Sequence, residues 1–188
     1  MCYTPPNTMG PTLLKLFAAM TILGQALLVL GVFAWLTRRG IGAKLWSLMN
    51  RIALPGAFIV AAVSTIGSLM FSEVAKFSPC VLCWYQRIVM YPQVVLLGLA
   101  LNGKNRDVVP SVTALSAIGL LIAGYHYALQ LGAPAIGPCT AAPVAVDCAA
   151  KVPFTFGYVT IPLMAATGFV MILVAMFLLR RRGAEPAT

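Results

Sequence analysis

The stretch IPLMAATGFVMILVAMFLL, residues 161–179, holds no charged side chain and runs straight into Arg180, Arg181 and Arg182. As a helix rising ~1.5 Å per residue it is nearly 30 Å long, about the depth of a hydrocarbon core. Lipid offers no water to the backbone, so such a stretch must satisfy its own N–H and C=O groups, which makes it a helix. Similar apolar segments lie at about 13–36, 52–71, 84–101 and 110–131. Five spans in one short chain predict an all-α integral membrane protein.

Composition supports this. The chain has 188 residues, of which 61% are hydrophobic and only 9% charged, too few charges to cover a water-soluble domain of this size. A net charge of +9 would suit nucleic acid, but the basic residues cluster at the ends of the apolar segments. That is an orientation signal, and the absence of a basic stripe excludes a nucleic-acid partner. Arg38, Arg39, Lys44, Arg51, Lys104, Arg106, Arg180, Arg181 and Arg182 fall on one side. Lys15, Lys76, Arg87 and Lys151 fall on the other. The richer side is predicted to be cytoplasmic, with the N-terminus outside and the C-terminus inside.

Helix punctuation agrees with these segments. Pro55 and Pro110 are expected in the first turns of their spans, where a missing N–H does no harm. Thr160 before Ile161 and Pro162 reads as an N-cap. Pro92 lies inside the third span and should kink it, freeing the carbonyl of Ile88. The stretch 132–156, with Pro134, Pro138, Pro143 and Pro153, reads as a loop. The first segment is too long for a signal peptide, and Arg38 and Arg39 behind it give it the wrong polarity.

Four of the five cysteines form two close pairs, Cys80 with Cys83 and Cys139 with Cys148, and both pairs fall outside the cytoplasm on the same face. Cys2 stands alone. Cys80-Val81-Leu82-Cys83 sits where the chain enters the third helix, and the unpaired N–H groups of a helix N-terminus stabilise a thiolate, the reactive form. Two intervening residues let the sulfurs join or part with little backbone motion. A zinc ligand pair or an inert structural pair would have the same spacing, although an oxidising compartment favours disulfides. Arg87 is four residues beyond Cys83 and on the same helix face, a permanent charge about one turn inside the membrane. A thiolate at Cys83 or a negatively charged quinone oxygen would offset it; snorkelling to lipid phosphates is the alternative. His126, the sole histidine, and Gln130 share a face of the fourth helix. They suit hydrogen bonds to quinone carbonyls, or to neighbouring helices. The Cys139/Cys148 loop could reach a soluble partner, or be pinned by a static disulfide.

In these features the chain resembles the disulfide bond formation protein B family, the DsbB-like membrane thiol oxidases with their shorter BdbC-like branch. The resemblance rests on Cys80-Val81-Leu82-Cys83 followed by Gln86-Arg87, on His126 with Gln130, on the Cys139/Cys148 loop and on Thr160-Ile161-Pro162. It covers roughly residues 52–180. Vitamin K epoxide reductase-like proteins use a similar bundle with the loop pair first and fit less well.

The resemblance implies a four-helix transmembrane bundle with one additional N-terminal transmembrane helix. Residues 1–51 would hold the extra helix and a basic cytoplasmic loop, 52–182 the redox domain, and 183–188 a cytoplasmic tail. It implies residence in a bacterial inner membrane with both cysteine pairs periplasmic. The implied activity is reoxidation of a DsbA-like thioredoxin-fold dithiol oxidase, with electrons passed to ubiquinone or menaquinone. Cys139 would form the mixed disulfide with the partner, and Cys148 would exchange with Cys80. Cys83 would face the quinone as a thiolate beside Arg87, with His126 and Gln130 holding the ring. No resident metal is implied. Outside this family, four cysteines could bind or carry a soft metal such as zinc, copper or mercury, or form two static disulfides.

Overall fold

The computed structural model describes residues 9–37, 40–103, 107–134, 148 and 155–184. Five helices account for nearly all of them: α1 (Met9–Thr37), α2 (Ile41–Leu69), α3 (Val81–Gly103), α4 (Val108–Gln130) and α5 (Ile161–Ala184). A π-helical turn, Met70–Val74, extends α2. Among the described residues there is no strand, only an isolated bridge between Thr155 and Val159.

Among the described residues, four helical stretches are long and apolar enough to cross a membrane: Met9–Thr37, Ile41–Val74, Val108–Gln130 and Ile161–Arg181. The third helix is not among them. At 23 residues α3 matches α4 in length, but Gln86, Arg87 and Gln93 lower its apolarity. Its place in the bundle explains how they are tolerated. Helices α2, α3, α4 and α5 pack in cyclic order, with α5 closing back on α2, while α1 lies against α2 and α5.

Small residues set the spacing. Ala53, Ala57 and Ala61 form a buried stripe on α2 at four-residue intervals, which lets neighbouring backbones approach. A Cβ at Gly119 of α4 would collide with the fully buried ring of Phe169 on α5. Polar ties cross the same interfaces. Ser116 of α4 donates to Gln93 Oε1 of α3 at 2.9 Å, and Gln93 Nε2 donates to its own helix at Val89 O. Gln25 anchors α1: its amide donates to Thr167 of α5 at 3.3 Å, and it accepts from the Tyr158 hydroxyl at 2.7 Å.

Three expectations from the sequence are corrected. Residues 41–51 are not loop, because α2 begins at Ile41 and carries Lys44 and Arg51 on its first three turns. Directly ahead of α2 stands Gly40, whose φ of 57° suits a residue without a Cβ. Pro55 therefore lies in the interior of α2 instead of its first turn; packed neighbours and the lack of competing water make an interior proline tolerable in a bundle of this kind. Thr160 does precede α5, and its carbonyl accepts from Met164 N at 2.9 Å. Its buried hydroxyl, however, has no hydrogen-bond partner among the described residues, so it supplies no side-chain cap. Pro110 does lie in the first turn of α4, and α3 runs on as a helix through Pro92.

Candidate functional site

The alternation of helices brings the α2–α3 and α4–α5 connections to one end of the bundle, and Cys80 stands at that end. It directly precedes α3, and its carbonyl accepts from Trp84 N at 3.2 Å, which makes it the N-cap residue. One turn of helix then returns Cys83 to the same side. The two sulfurs lie 3.3 Å apart as a reduced dithiol, Cys80 buried and Cys83 half-buried. The spacing expected from the sequence, close enough to join without backbone rearrangement, is what α3 delivers.

His126 on α4 closes over this pair. Its Nε2 is 3.7 Å from Cys80 Sγ, and its Nδ1 is 3.3 Å from Gln86 Nε2. With the Gln86 amide donating, Nδ1 accepts and Nε2 carries the hydrogen that faces the sulfur. Gln86 escaped the sequence reading as a separate contributor. The signal was a glutamine next to Arg87 in a span that should be apolar. The Cys80 thiol, at the end of the bundle ahead of α3, is pushed up to about 12. Its hydrogen bond to the Cys83 sulfur is the largest cause and burial the next, while His126 acts in the opposite sense.

Arg87 turns inward. Its Nε donates to Ser68 Oγ and its Nη2 to Ser68 O, each at 2.8 Å, and its guanidinium lies 5.2 Å from the centroid of the Trp84 ring. The Ser68 carbonyl belongs to the last turn of α2 before the π-helical stretch. Ser72 Oγ also donates there, at 3.4 Å. The charge is thus held by α2 through a specific pair of bonds, and Ser68 is a second site residue that the sequence reading did not name. A serine among several small hydroxyl side chains of an apolar span, Ser64 and Thr65 with it, was its only mark.

Cys148 is buried and packs in one cluster with Cys80, Leu82 and Leu129, with Cys83 at its edge. The structure therefore gathers Cys80, Cys83, His126 and Cys148 at one point. Cys139 and Cys2 lie outside the described residues. Gln130, one turn after His126 on α4, is buried with its Oε1 unpartnered among the described residues.

All of these groups open onto one cavity of 690 Å³ bounded by α1, α2, α3 and α5, with Gln130 and His126 of α4 at its polar end. Its walls include Cys80, Cys83, Arg87, Gln130 and Cys148. Such a volume is within the usual range of small-molecule sites. Sulfurs that can cycle between thiol and disulfide, a fixed cation and an unpartnered acceptor in one apolar cavity suit two-electron exchange with an apolar carrier that bears polar oxygens. The Cys80, Cys83 and His126 donor atoms also lie within 4.8 Å of one another, a compact soft-ligand set.

The family described as disulfide bond formation protein DsbB matches residues 49–179. A probable disulfide formation protein C of Bacillus cereus is 44% identical over 126 residues, which cover 67% of this chain and 90% of that protein. The disulfide bond formation protein C of Bacillus subtilis is 40% identical over 139 residues, 72% of this chain and 99% of the relative. An SPbeta prophage-derived disulfide bond formation protein B of Bacillus subtilis is 39% identical over 116 residues, 61% and 76% of the two chains. No solved structure matches the chain. Helix α1 lies wholly ahead of the family match.

Proposed function

The chain belongs to the DsbB family of disulfide bond formation proteins, and on that premise we propose that it oxidises a thioredoxin-fold dithiol oxidase and hands the electrons to membrane quinone. It is a multi-pass membrane oxidoreductase of disulfide bond formation. The observation that carries the finer reading is the Cys80/Cys83 dithiol, 3.3 Å across, set beside Arg87 on the wall of an apolar cavity.

A thiolate of the reduced partner attacks Cys139 of a Cys139–Cys148 disulfide, and Cys148 leaves as thiolate. Cys148 attacks Cys80 of a Cys80–Cys83 disulfide, and Cys83 leaves as thiolate next to Arg87. The second partner thiolate then releases the oxidised partner from Cys139, and Cys139 attacks Cys148 to free Cys80. The chain now holds a Cys139–Cys148 disulfide and a Cys80/Cys83 dithiol. Quinone, when bound, accepts two electrons and two protons and leaves as quinol, restoring the Cys80–Cys83 disulfide. The shared burial of Cys148 and Cys80 supports the exchange assigned to them.

The residues around the cavity fit a quinone ring. Gln130 Oε1 and the Tyr91 hydroxyl are buried without partners among the described residues, and both residues line the cavity. Arg87, four residues beyond Cys83 on the cavity wall, would stabilise the Cys83 thiolate and polarise a ring oxygen of a bound quinone. His126 lines the same cavity, and its Nε2–H faces Cys80, so it serves the sulfur side of the transfer. We place the redox bundle at 52–182, with α1 as an addition to it, and the cysteine-bearing end on the periplasmic side of a bacterial inner membrane. The excess of Lys and Arg at the other end supports that orientation.

The test is quinone absorbance, without oxygen, after mixing the purified protein with a reduced thioredoxin-fold oxidase. Wild type should consume quinone and Cys83→Ala should not. No consumption by wild type with either ubiquinone or menaquinone, given an active partner, rejects the reading. A second reading has one specific observation in its favour, the soft donor set of Cys80, Cys83 and His126. One equivalent of zinc or copper on protein purified under reducing conditions, lost in His126→Ala, would favour a metal binder instead.

A further inference from the structure

The cavity is far deeper than a quinone ring requires. It follows α2 from Leu45 to Phe71, roughly 40 Å of helix by the α-helical rise, and α5 from Ile161 to Leu178. Its polar groups, among them Ser64, Ser68, Arg87, Tyr91 and Gln130, gather toward the cysteine-bearing end. Beyond them the wall is apolar, built by α2, α5 and one face of α1 that includes Gly24, Leu27 and Leu28. We propose that α1 completes a membrane-deep channel that holds the isoprenoid tail of the quinone, and that this helix makes the enzyme selective for long-tailed quinones. The proposal rests on the quinone reading above.

Two features favour this occupant over the acyl chain of a phospholipid. Arg87 is the only cation among the lining residues, and its Nε and Nη2 are already bound to Ser68. A phosphate headgroup would have that one cation alone to answer its charge, and would compete for it with the Cys83 thiolate. The unpartnered groups are instead one neutral donor, the Tyr91 hydroxyl, and one neutral acceptor, Gln130 Oε1. That pair suits a carbonyl in the oxidised carrier and a hydroxyl in the reduced one.

The channel wall on the α1 side lies outside the family match. The family match begins at residue 49, and the Bacillus subtilis relative is matched over 99% of its length by 72% of this chain. Gln25, bonded to Thr167 and Tyr158, fixes α1 in that position.

Gly56 gives the test its handle. It lines the cavity about three turns of α2 away from Ser68, and a Cβ there would meet nothing within 4 Å. Gly56→Phe should therefore block the channel without touching the ring end. Two readouts are needed: quinone extracted from detergent-purified full-length protein, and KM for a full-length isoprenoid quinone against one with a single isoprene unit. Wild type should retain long-tailed quinone and show a KM at least tenfold lower for the long tail. Gly56→Phe should retain severalfold less and lose that preference, with short-tailed kcat/KM within twofold of wild type. Leu28→Trp, which narrows the channel from α1, should do the same and stands in if Gly56→Phe does not fold. Equal KM values for both tails in wild type, phospholipid in place of quinone in the extract, or long-tailed kinetics unmoved in both variants would overturn the channel. Failure of wild type to reduce either quinone would instead overturn the quinone reading beneath it.

Discussion

Helices α3 and α5 are nearly equal in length, 23 and 24 residues, and both belong to the four-helix ring, yet they are built on opposite principles. Buried positions on α5 are filled by Phe169, Ile172 and Met176. On α3 they include Gln86 and Gln93. Three polar side chains on α3 have named partners: Gln86 meets His126, Arg87 meets Ser68, and Gln93 meets Ser116; the Tyr91 hydroxyl, unpartnered among the described residues, lines the cavity instead. In a membrane an unpartnered polar group is costly and a partnered one is not. The ring can therefore give one helix to chemistry as long as its neighbours answer the polar side chains packed between helices and the other helices supply the apolar surface.

The comparison is broken most forcefully on the α5 side. Phe169→Ala removes a ring with no exposed surface, seated on Gly119, and should cost about 3–5 kcal/mol of stability. Unfolding in mixed detergent would read this, and a loss below 1 kcal/mol would mean that α5 is not the packing spine. On the α3 side, Arg87→Ala should slow quinone reduction at least tenfold, while formation of the mixed disulfide with the partner stays within threefold. Arg87→Lys should recover little, because a single ammonium cannot reproduce the two-pronged grip on Ser68 Oγ and Ser68 O. Unchanged quinone kinetics in Arg87→Ala would remove its assigned role.

The same contrast explains what the sequence made legible. α5 announced itself, since an uncharged run that ends in three arginines admits one reading. α3 was located to within three residues at either end, and sulfur spacing and a charge inside an apolar segment singled out Cys80, Cys83 and Arg87 as candidates. Ser68 was not found. Its importance comes from its bonds to Arg87 on another helix, which have no local pattern in the sequence. The start of α2 was misread for a related reason: Lys44, Arg51 and Pro55 look like a loop and a helix opening, but packing carries helix through all three.

The dithiol itself offers a milder perturbation, in reactivity. The bond to the Cys83 sulfur is the main cause that pushes Cys80 up to about 12, so reduced wild type should keep Cys80 protonated and slow to alkylate at pH 8. Cys83→Ala removes that cause, lowers the Cys80 titration and should speed alkylation severalfold. His126→Ala removes the opposing influence and should slow it. Peptide mapping after timed iodoacetamide treatment across pH 7–10 separates Cys80 from the other thiols. Shifts of the reverse sign would mean that the sulfurs and the imidazole do not interact as their distances indicate.

The smallest effect tests the rule behind the comparison. Gln93 and Ser116 are both fully buried and bonded to each other at 2.9 Å between α3 and α4. If polar groups on α3 are tolerated because they are answered, a double-mutant cycle of Gln93→Leu and Ser116→Ala should give a coupling near ~0.6 kcal/mol, typical of hydrogen bonds between membrane helices. The single variants should each cost more than the double, since either alone leaves an orphaned group. Ser116→Ala still leaves Gln93 Nε2 bonded to Val89 O and orphans only Oε1, so it should be the milder of the two singles if Gln93→Leu also loses packing. A coupling indistinguishable from zero would mean that α3 carries its glutamines for space-filling alone. Its low apolarity would then be a burden borne by the whole ring, with no local compensation at Ser116.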